Sequence, residues 1–196
     1  MNPATADISH TVEARTIELE YYDRPTFWFH WLTALMVVLL FGTSLVWNYI
    51  TPHNRAWRPL FEETHVSLGI IFAALILARI IWRLTGGRQL VPEPGLPGRL
   101  SRLMYMILYV LLAAESVLGF LLRWAQGEEF TFFGLFSIPA LMPQNRDLAH
   151  TLEEMHNYVG WAIVILSLGH ALAALFHHYV LKDKVFKRMW TRRAAA

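Results

Sequence analysis

Residues 155–181 read MHNYVGWAIVILSLGHALAALFHHYVL, a stretch without Asp, Glu, Lys or Arg that is long enough to cross a bilayer as one helix. It contains His156 and His170, which are 14 residues apart. On an α-helix this spacing brings two side chains to nearly the same face, roughly 21 Å apart along the axis. An imidazole in hydrocarbon is costly unless it has a partner or a function. The stretch therefore predicts a membrane helix with two ligand positions at different depths.

Three further apolar stretches accompany this one in the 196-residue chain, which is 55% hydrophobic and only 16% charged. A soluble domain of this size carries about a quarter charged residues. We predict an all-α, integral membrane four-helix bundle over residues 25–181, between an N-terminal tail (1–24) and a basic C-terminal tail (182–196). Its helices are predicted at 27–50, 63–84, 103–124 and 155–181.

The distribution of Lys and Arg predicts the orientation of this bundle. The two tails and the second loop, with the neighbouring Arg83, hold twelve of these residues, whereas the first and third loops hold only Arg55, Arg58, Arg123 and Arg146. Positive residues accumulate on the cytoplasmic side. We therefore expect both termini to be cytoplasmic in a multi-pass protein of a bacterial inner membrane.

The two longer connections differ in character. Residues 85–102 contain Gly-Gly, Pro-Glu-Pro-Gly and Pro-Gly, which predicts a true loop. Residues 125–154 begin with the aromatic run FTFFGLF, residues 130–136, which is too short to span the membrane. We expect this run to lie at the interface or to fold back over the bundle.

Depth sorts four histidines into two pairs. With the predicted orientation, His65 and His156 form an outer pair, and His30 and His170 form an inner pair. His177 and His178 match the depth of His30 even better, but they lie over roughly 31 Å from His156, the full apolar thickness. Depth alone thus favours His170 but leaves His177 and His178 as alternatives. Alternatively, all of these histidines merely form hydrogen bonds between helices or sit at the interfaces.

Haem b suits such pairs, because two axial imidazoles leave the iron six-coordinate and fit for electron transfer. Small residues near the ligands, such as Gly69, Gly160 and Gly169, would let a flat macrocycle approach the backbone. The absence of cysteine excludes thiolate-ligated haem, iron–sulfur clusters and thiol catalysis. Zinc is the rival, but it prefers three or four ligands at one depth, and only the acidic outer end offers these.

Four short motifs resemble the bacterial cytochrome b561 family: FHWL at 29–32, THVSLG at 64–69, MHNYVG at 155–160 and GHALAALFHHY at 169–179. The resemblance covers all four helices, roughly residues 22–190, and is greatest to the superoxide oxidase members of that family. It implies two b haems with axial ligands His65 and His156, and His30 and His170, so it selects His170 over His177 and His178. It also implies electron transfer from superoxide to ubiquinone.

Other polar and aromatic residues are candidates for cofactor contacts. Arg79 and Arg83 match basic family positions and could pair with haem propionates, although both could instead extend toward the cytoplasmic interface, which we favour for Arg83. Glu115 departs from the family, where this part of the third helix is apolar. It could be protonated, paired with a neighbour, or a proton donor to quinone. Quinone-binding candidates are Trp124, Phe132, Phe133 and Glu115, and no catalytic side chain is assigned.

Three functions compete at this stage. The first is a di-haem oxidoreductase that takes electrons from superoxide at the outer face and reduces ubiquinone. The second is a haem b subunit linking a dehydrogenase or soluble cytochrome to the quinone pool. The second is favoured by the outer loops, where seven acidic residues outnumber four arginines, because an anion is steered best by positive potential. The third, a haem-free metal-binding or transport bundle, is disfavoured by the motifs. Nothing in the sequence indicates nucleic-acid binding.

Overall fold

A computed structural model describes residues 21–50, 56–88, 90, 95–183 and 186–190. Most of the predicted N-terminal tail and much of the basic C-terminal tail lie outside the described residues, as does Arg55 of the first loop.

The chain is mostly helical and belongs to the class of multi-pass membrane proteins. Within the described ranges, four helical segments are long and apolar enough to cross a bilayer. Helix α1 comprises Arg24–Leu45 and continues as a π-helical turn, Val46–Ile50, and α2 comprises Trp57–Thr85. Helix α3 comprises Gly95–Gln126, and α4 comprises Arg146–Phe176 followed by a π-helical turn, His177–Leu181. A short helix α5, Lys187–Trp190, follows.

Helices α3 and α4 begin well before the predicted starts at residues 103 and 155. The sequence of α4 predicts too late a start because its first turns are polar, although Asn145 caps them by accepting a hydrogen bond from the Leu148 N–H at 3.1 Å. Likewise, residues 95–102 belong to α3 and not to a loop. The longer α4 places His156 about 15 Å from the start of the helix, and not at its mouth.

The core of the bundle is a layer to which every long helix contributes. Its buried members are Met36 of α1, Phe72 and Ile76 of α2, Leu112 of α3 and Ile163 of α4. Helix α4 packs extensively on α3 but only slightly on α1. Many large apolar side chains of the long helices point outward and are exposed, as expected of a lipid-facing surface.

The aromatic run forms a small antiparallel hairpin that folds back over the bundle, which is one of the two placements that its sequence predicts. Strand β1 (Phe130–Phe132) pairs with β2 (Phe136–Ile138) in the register Phe130↔Ile138. The hairpin folds back onto α2, where the fully buried Ser67 Oγ accepts from the Phe133 N–H at 2.9 Å and donates to the Thr131 carbonyl at 3.3 Å. We call the end of the bundle with this hairpin the hairpin end and the opposite end, with residue 21 and α5, the terminal end.

Replacing Ser67 with Ala should loosen the hairpin, because the Phe133 N–H and the Thr131 carbonyl would both lose their hydrogen bond to the buried Ser67 hydroxyl. We expect a loss of about 1–3 kcal/mol in the free energy of unfolding and faster hydrogen exchange of the hairpin amides, measured on the protein in detergent. Ser116→Ala is the matched control, since that hydroxyl donates only to a carbonyl of its own helix, Leu112, at 3.0 Å. Equal exchange in the two variants would contradict this role of Ser67.

Asp23 ties the start of α1 to the end of α2 at the terminal end. Its carboxylate accepts from the Thr26 N–H and hydroxyl, the Arg88 N–H and the Trp82 indole. Burial raises the pKa of Asp23, but these hydrogen bonds outweigh burial and hold the pKa below its ordinary value of 3.8.

Asp23→Asn should therefore destabilise the protein in a pH-dependent way. Because the folded-state pKa is the lower one, the stabilisation is complete above the ordinary value of 3.8 and is lost as the pH falls through the folded-state pKa. We expect the difference in thermal stability between the native protein and the variant to be largest near neutral pH and to vanish in acid. A difference that stays constant across that range would exclude a contribution from ionisation.

Candidate functional site

Two pairs of imidazole rings meet across the interior of the bundle. At the hairpin end, the ring centroids of His65 (α2) and His156 (α4) are 6.2 Å apart, with the ring planes at 80°. At the terminal end, the centroids of His30 (α1) and His170 (α4) are also 6.2 Å apart, at 68°. Three of the rings are half-buried, and His170 is exposed. The structure thus brings together the same pairs that depth predicts.

The separation fits one metal ion between each pair of rings. A metal–imidazole bond is about 2.0–2.1 Å long, and the ring centre lies about 1.1 Å beyond the nitrogen, so two rings on opposite sides of one ion have centroids about 6.3 Å apart. Within the described ranges, no group of three or more His, Cys, Asp or Glu side chains is arranged to hold a metal ion. Two axial positions per site match haem iron and fall short of what a structural zinc site needs.

The orientation of His65 is set by α1. The Leu40 carbonyl and the Thr43 hydroxyl lie 3.0 and 3.1 Å from its Nδ1, while that hydroxyl donates to the same carbonyl at 2.8 Å. Because the carbonyl can only accept, it fixes the proton on Nδ1 and leaves Nε2 free for a metal ion. The edge of the Trp47 ring, 4.9 Å away between centroids, packs against the imidazole.

At the terminal end, the three candidate partners of His30 occupy different places. Only His170 faces it. His177 pairs through Nδ1 with the Asp183 carboxylate, and His178 packs on the ring of Phe186 with centroids 4.9 Å apart. Of these three histidines, His170 is therefore the one whose ring lies beside that of His30.

Arg79 lies beside the terminal-end pair, close enough to His30 and His170 to interact electrostatically with both. Its Nε donates to the Tyr109 hydroxyl at 3.0 Å, and its guanidinium carbon is 5.0 Å from the centre of that ring. These contacts hold the half-buried guanidinium against α3. Arg83 instead donates to the Arg88 carbonyl at 3.0 Å, at the end of α2.

The glycines near the histidines have different roles. A Cβ at Gly42, Gly69 or Gly169 would meet no heavy atom within 4 Å, so these backbone faces leave room for a flat ring. Gly160 does not share this role, contrary to the sequence-based expectation. A Cβ there would lie 3.1 Å from Oε1 of Glu115, so Gly160 faces α3.

Glu115 is a neighbour of His156, a contact that the sequence did not reveal. Its Oε1 is 3.3 Å from Nδ1 of His156, and both side chains are largely buried, with exposed fractions of 16% and 24%. Another ionic contact at the hairpin end joins one arginine to two glutamates. Arg123 contacts Glu62 at 3.0 Å and Glu128 at 3.2 Å. The charge of this arginine is therefore already compensated.

The quinone candidates do not form one cluster. Trp124 and Phe130 both contact Phe120, with centroids 6.0 and 5.8 Å away, and Phe132 stacks on Phe136. Phe133 is half-exposed in the hairpin turn. Glu115 lies about 14 Å from the level of Trp124 along α3, nine residues away.

Several contributing residues have no signal in the sequence. Thr43, Tyr109 and the Leu40 carbonyl act through contacts between helices, which depend on how each helix is rotated about its axis. Only the i, i+4 spacing of Glu115 with Gly119, and of His156 with Gly160, could have suggested that these faces of α3 and α4 meet.

A membrane-spanning helical bundle that holds two facing histidine pairs at different depths has the architecture of a membrane b-type cytochrome. Comparison with known proteins agrees: the sequence profile described as prokaryotic cytochrome b561 matches residues 21–192. The chain belongs to this family, whose members bind b-type haem and transfer electrons.

The alignments with three bacterial relatives cover most of the chain. Cytochrome b561 homolog 2 of Escherichia coli (strain K12) is 33% identical over 168 residues, which is 82% of this chain and 86% of the relative. Cytochrome b561 homolog 1 of the same organism is 28% identical, over 88% and 98% of the two chains. A Yersinia pestis protein named probable superoxide oxidase CybB is 32% identical, over 84% and 92%.

Proposed function

We propose that this chain binds two b haems, one between His65 and His156 and one between His30 and His170, and carries electrons between them. The observation that carries this proposal is the centroid separation of 6.2 Å in both pairs, which fits one iron between two imidazoles. When bound, the haems supply two one-electron carriers at different depths in the bilayer. The chain itself orients His65 through the Leu40 carbonyl and half-buries three of the four rings.

The hairpin end faces away from the cytoplasm in this proposal. The support is the Lys and Arg distribution, because positive residues are concentrated in the tails and the loop between α2 and α3, as is typical of cytoplasmic segments. The same argument favours a bacterial inner membrane. Arg79 would then pair with propionates of the terminal-end haem, because the Tyr109 tether holds its guanidinium beside His30 and His170. Arg83 would contribute less, since it is already bound to the Arg88 carbonyl.

As the reaction, we propose oxidation of superoxide at the hairpin end and reduction of ubiquinone. Two superoxide anions each lose one electron to become O2, and ubiquinone takes up the two electrons with two protons to become ubiquinol. Support comes from the similarity to the Yersinia pestis protein named probable superoxide oxidase. Ubiquinone is proposed to bind near Trp124, because its buried Nε1 has no hydrogen-bond partner and could donate to a quinone carbonyl.

A second candidate function is electron uptake from a cationic redox protein at the same end. The specific support is the charge of this surface. The loops of this end hold seven acidic residues against four arginines, and one of these arginines, Arg123, is already compensated by Glu62 and Glu128. An acidic surface accelerates docking of a cationic protein and slows encounter with an anion.

Single alanine substitutions test the proposed ligands. His65→Ala and His156→Ala should each remove the same haem, and His30→Ala and His170→Ala should each remove the other, because one missing axial imidazole weakens the site strongly. The measurement is the haem-to-protein ratio together with the reduced-minus-oxidised spectrum. His177→Ala and His178→Ala are matched controls on the same helix and should retain both haems. Loss of a haem in either control, with retention in His170→Ala, would refute the terminal-end assignment.

Rapid-mixing spectroscopy separates the two electron donors. If superoxide is the donor, the oxidised purified protein should be reduced by a superoxide pulse within the mixing experiment, and added ubiquinone should reoxidise it. Superoxide dismutase added beforehand should abolish the reduction. Haems that remain oxidised in superoxide, yet accept electrons from a reduced cationic cytochrome at a rate that falls with ionic strength, would establish the second function instead.

A further inference from the structure

Helices α3 and α4 interlock at the hairpin end through two large polar residues and two glycines. Glu115 of α3 lies over Gly160 of α4, where a Cβ would be 3.1 Å from Oε1. Conversely, His156 of α4 lies over Gly119 of α3, where a Cβ would be 3.4 Å from the His156 ring. Each helix thus contributes one polar side chain and, four residues later, the glycine that receives its counterpart.

This interlock leaves the carboxyl and the imidazole facing each other. Oε1 of Glu115 and Nδ1 of His156 are 3.3 Å apart, and neither His156 Nδ1 nor Glu115 Oε2 has a hydrogen-bond partner. Such buried polar atoms are costly unless they are satisfied. A small rotation of the imidazole would align the two groups into a hydrogen bond.

We propose that Glu115 is a positioning residue that accepts a hydrogen bond from Nδ1–H of His156 and thereby lowers the reduction potential of the hairpin-end haem. This hydrogen bond keeps the proton of His156 on Nδ1, so its unprotonated Nε2 faces the ring of His65. A carboxyl acceptor also makes the imidazole a stronger donor to the metal, as carboxylate–histidine–metal arrangements do. A stronger donor stabilises ferric over ferrous iron.

The opposite axial ligand lacks such a partner. His65 shares its Nδ1 with a neutral carbonyl, that of Leu40, and a hydroxyl, that of Thr43. The described residues therefore give the hairpin-end site a single carboxyl in contact with a ligand, and its removal should be visible in the potential. At the terminal end, His177 touches a carboxylate, but His177 is not one of the facing rings.

Glu115→Gln provides the direct test, because it keeps the size of the side chain and removes the carboxyl. We expect one haem to become easier to reduce by about tenfold in the equilibrium constant, which is ~59 mV for one electron, while the other haem is unchanged. In the His30→Ala background, which retains only the hairpin-end haem, the shift should persist. In the His65→Ala background it should be absent. Ser116→Ala, at the same depth on α3, should shift neither potential.

Gly160→Ala provides a second variant, in case Glu115→Gln folds poorly. The added methyl group would push the carboxyl away from His156, so the same haem should shift in the same direction. In a Glu115→Ala background, Gly160→Ala should cause no further shift. A purely structural interlock would instead leave both potentials and the low-temperature electron paramagnetic resonance signals unchanged while lowering the thermal stability. That result in haem-replete protein would overturn the proposal.

The inference rests on the proposed ligation by His156, and the two can fail separately. Retention of both haems in His156→Ala would refute the ligand assignment itself. Loss of one haem in His156→Ala, combined with unchanged potentials in Glu115→Gln and Gly160→Ala, would leave the ligand assignment intact and refute only the role of Glu115.

Discussion

Both nitrogens of an imidazole that is placed between apolar helices need a partner, and this requirement organises the bundle. At the hairpin end, Nδ1 of His65 is oriented by the Leu40 carbonyl of α1, and Nδ1 of His156 faces Glu115 of α3. The rings of these two histidines then face each other from α2 and α4. One histidine pair thus fixes the relative rotation of all four long helices.

Helix α4 determines how far apart the two histidine pairs and the buried apolar layer lie along the helix axis. Ile163, a member of the buried layer, lies seven residues after His156 and seven before His170. Phe72 of the same layer lies seven residues after His65. Seven residues make nearly two helical turns, so the layer returns to the face that carries the histidines, about 10 Å from each pair. The apolar layer therefore separates the two sites and excludes water between them.

The sequence predicts which residues lie at the same depth in the membrane. It does not predict which residues face each other, because that depends on how each helix is rotated about its axis. Four apolar stretches and the spacing of His156 and His170 were sufficient for the spans and for the two pairs. The polar first turns of α4 hid its true start, because hydropathy does not register a helix that extends beyond the hydrocarbon. The sequence does not show that Gly160 faces Glu115, since a one-dimensional pattern does not indicate which neighbour a small residue meets. The side chain of Ser67, which receives the hairpin, likewise has no signature outside the fold.

The two histidine pairs also differ in the type of ionisable side chain that lies beside them. A carboxyl, that of Glu115, adjoins the hairpin-end pair, whereas a guanidinium, that of Arg79, adjoins the terminal-end pair. A nearby cation favours the reduced form of a metal centre, and an acceptor on the axial ligand favours the oxidised form. These effects act in opposite directions at the two depths, and the low dielectric between the helices strengthens both. Each site consists of two imidazoles, but the fold gives the two sites different electrostatic surroundings as well as different depths.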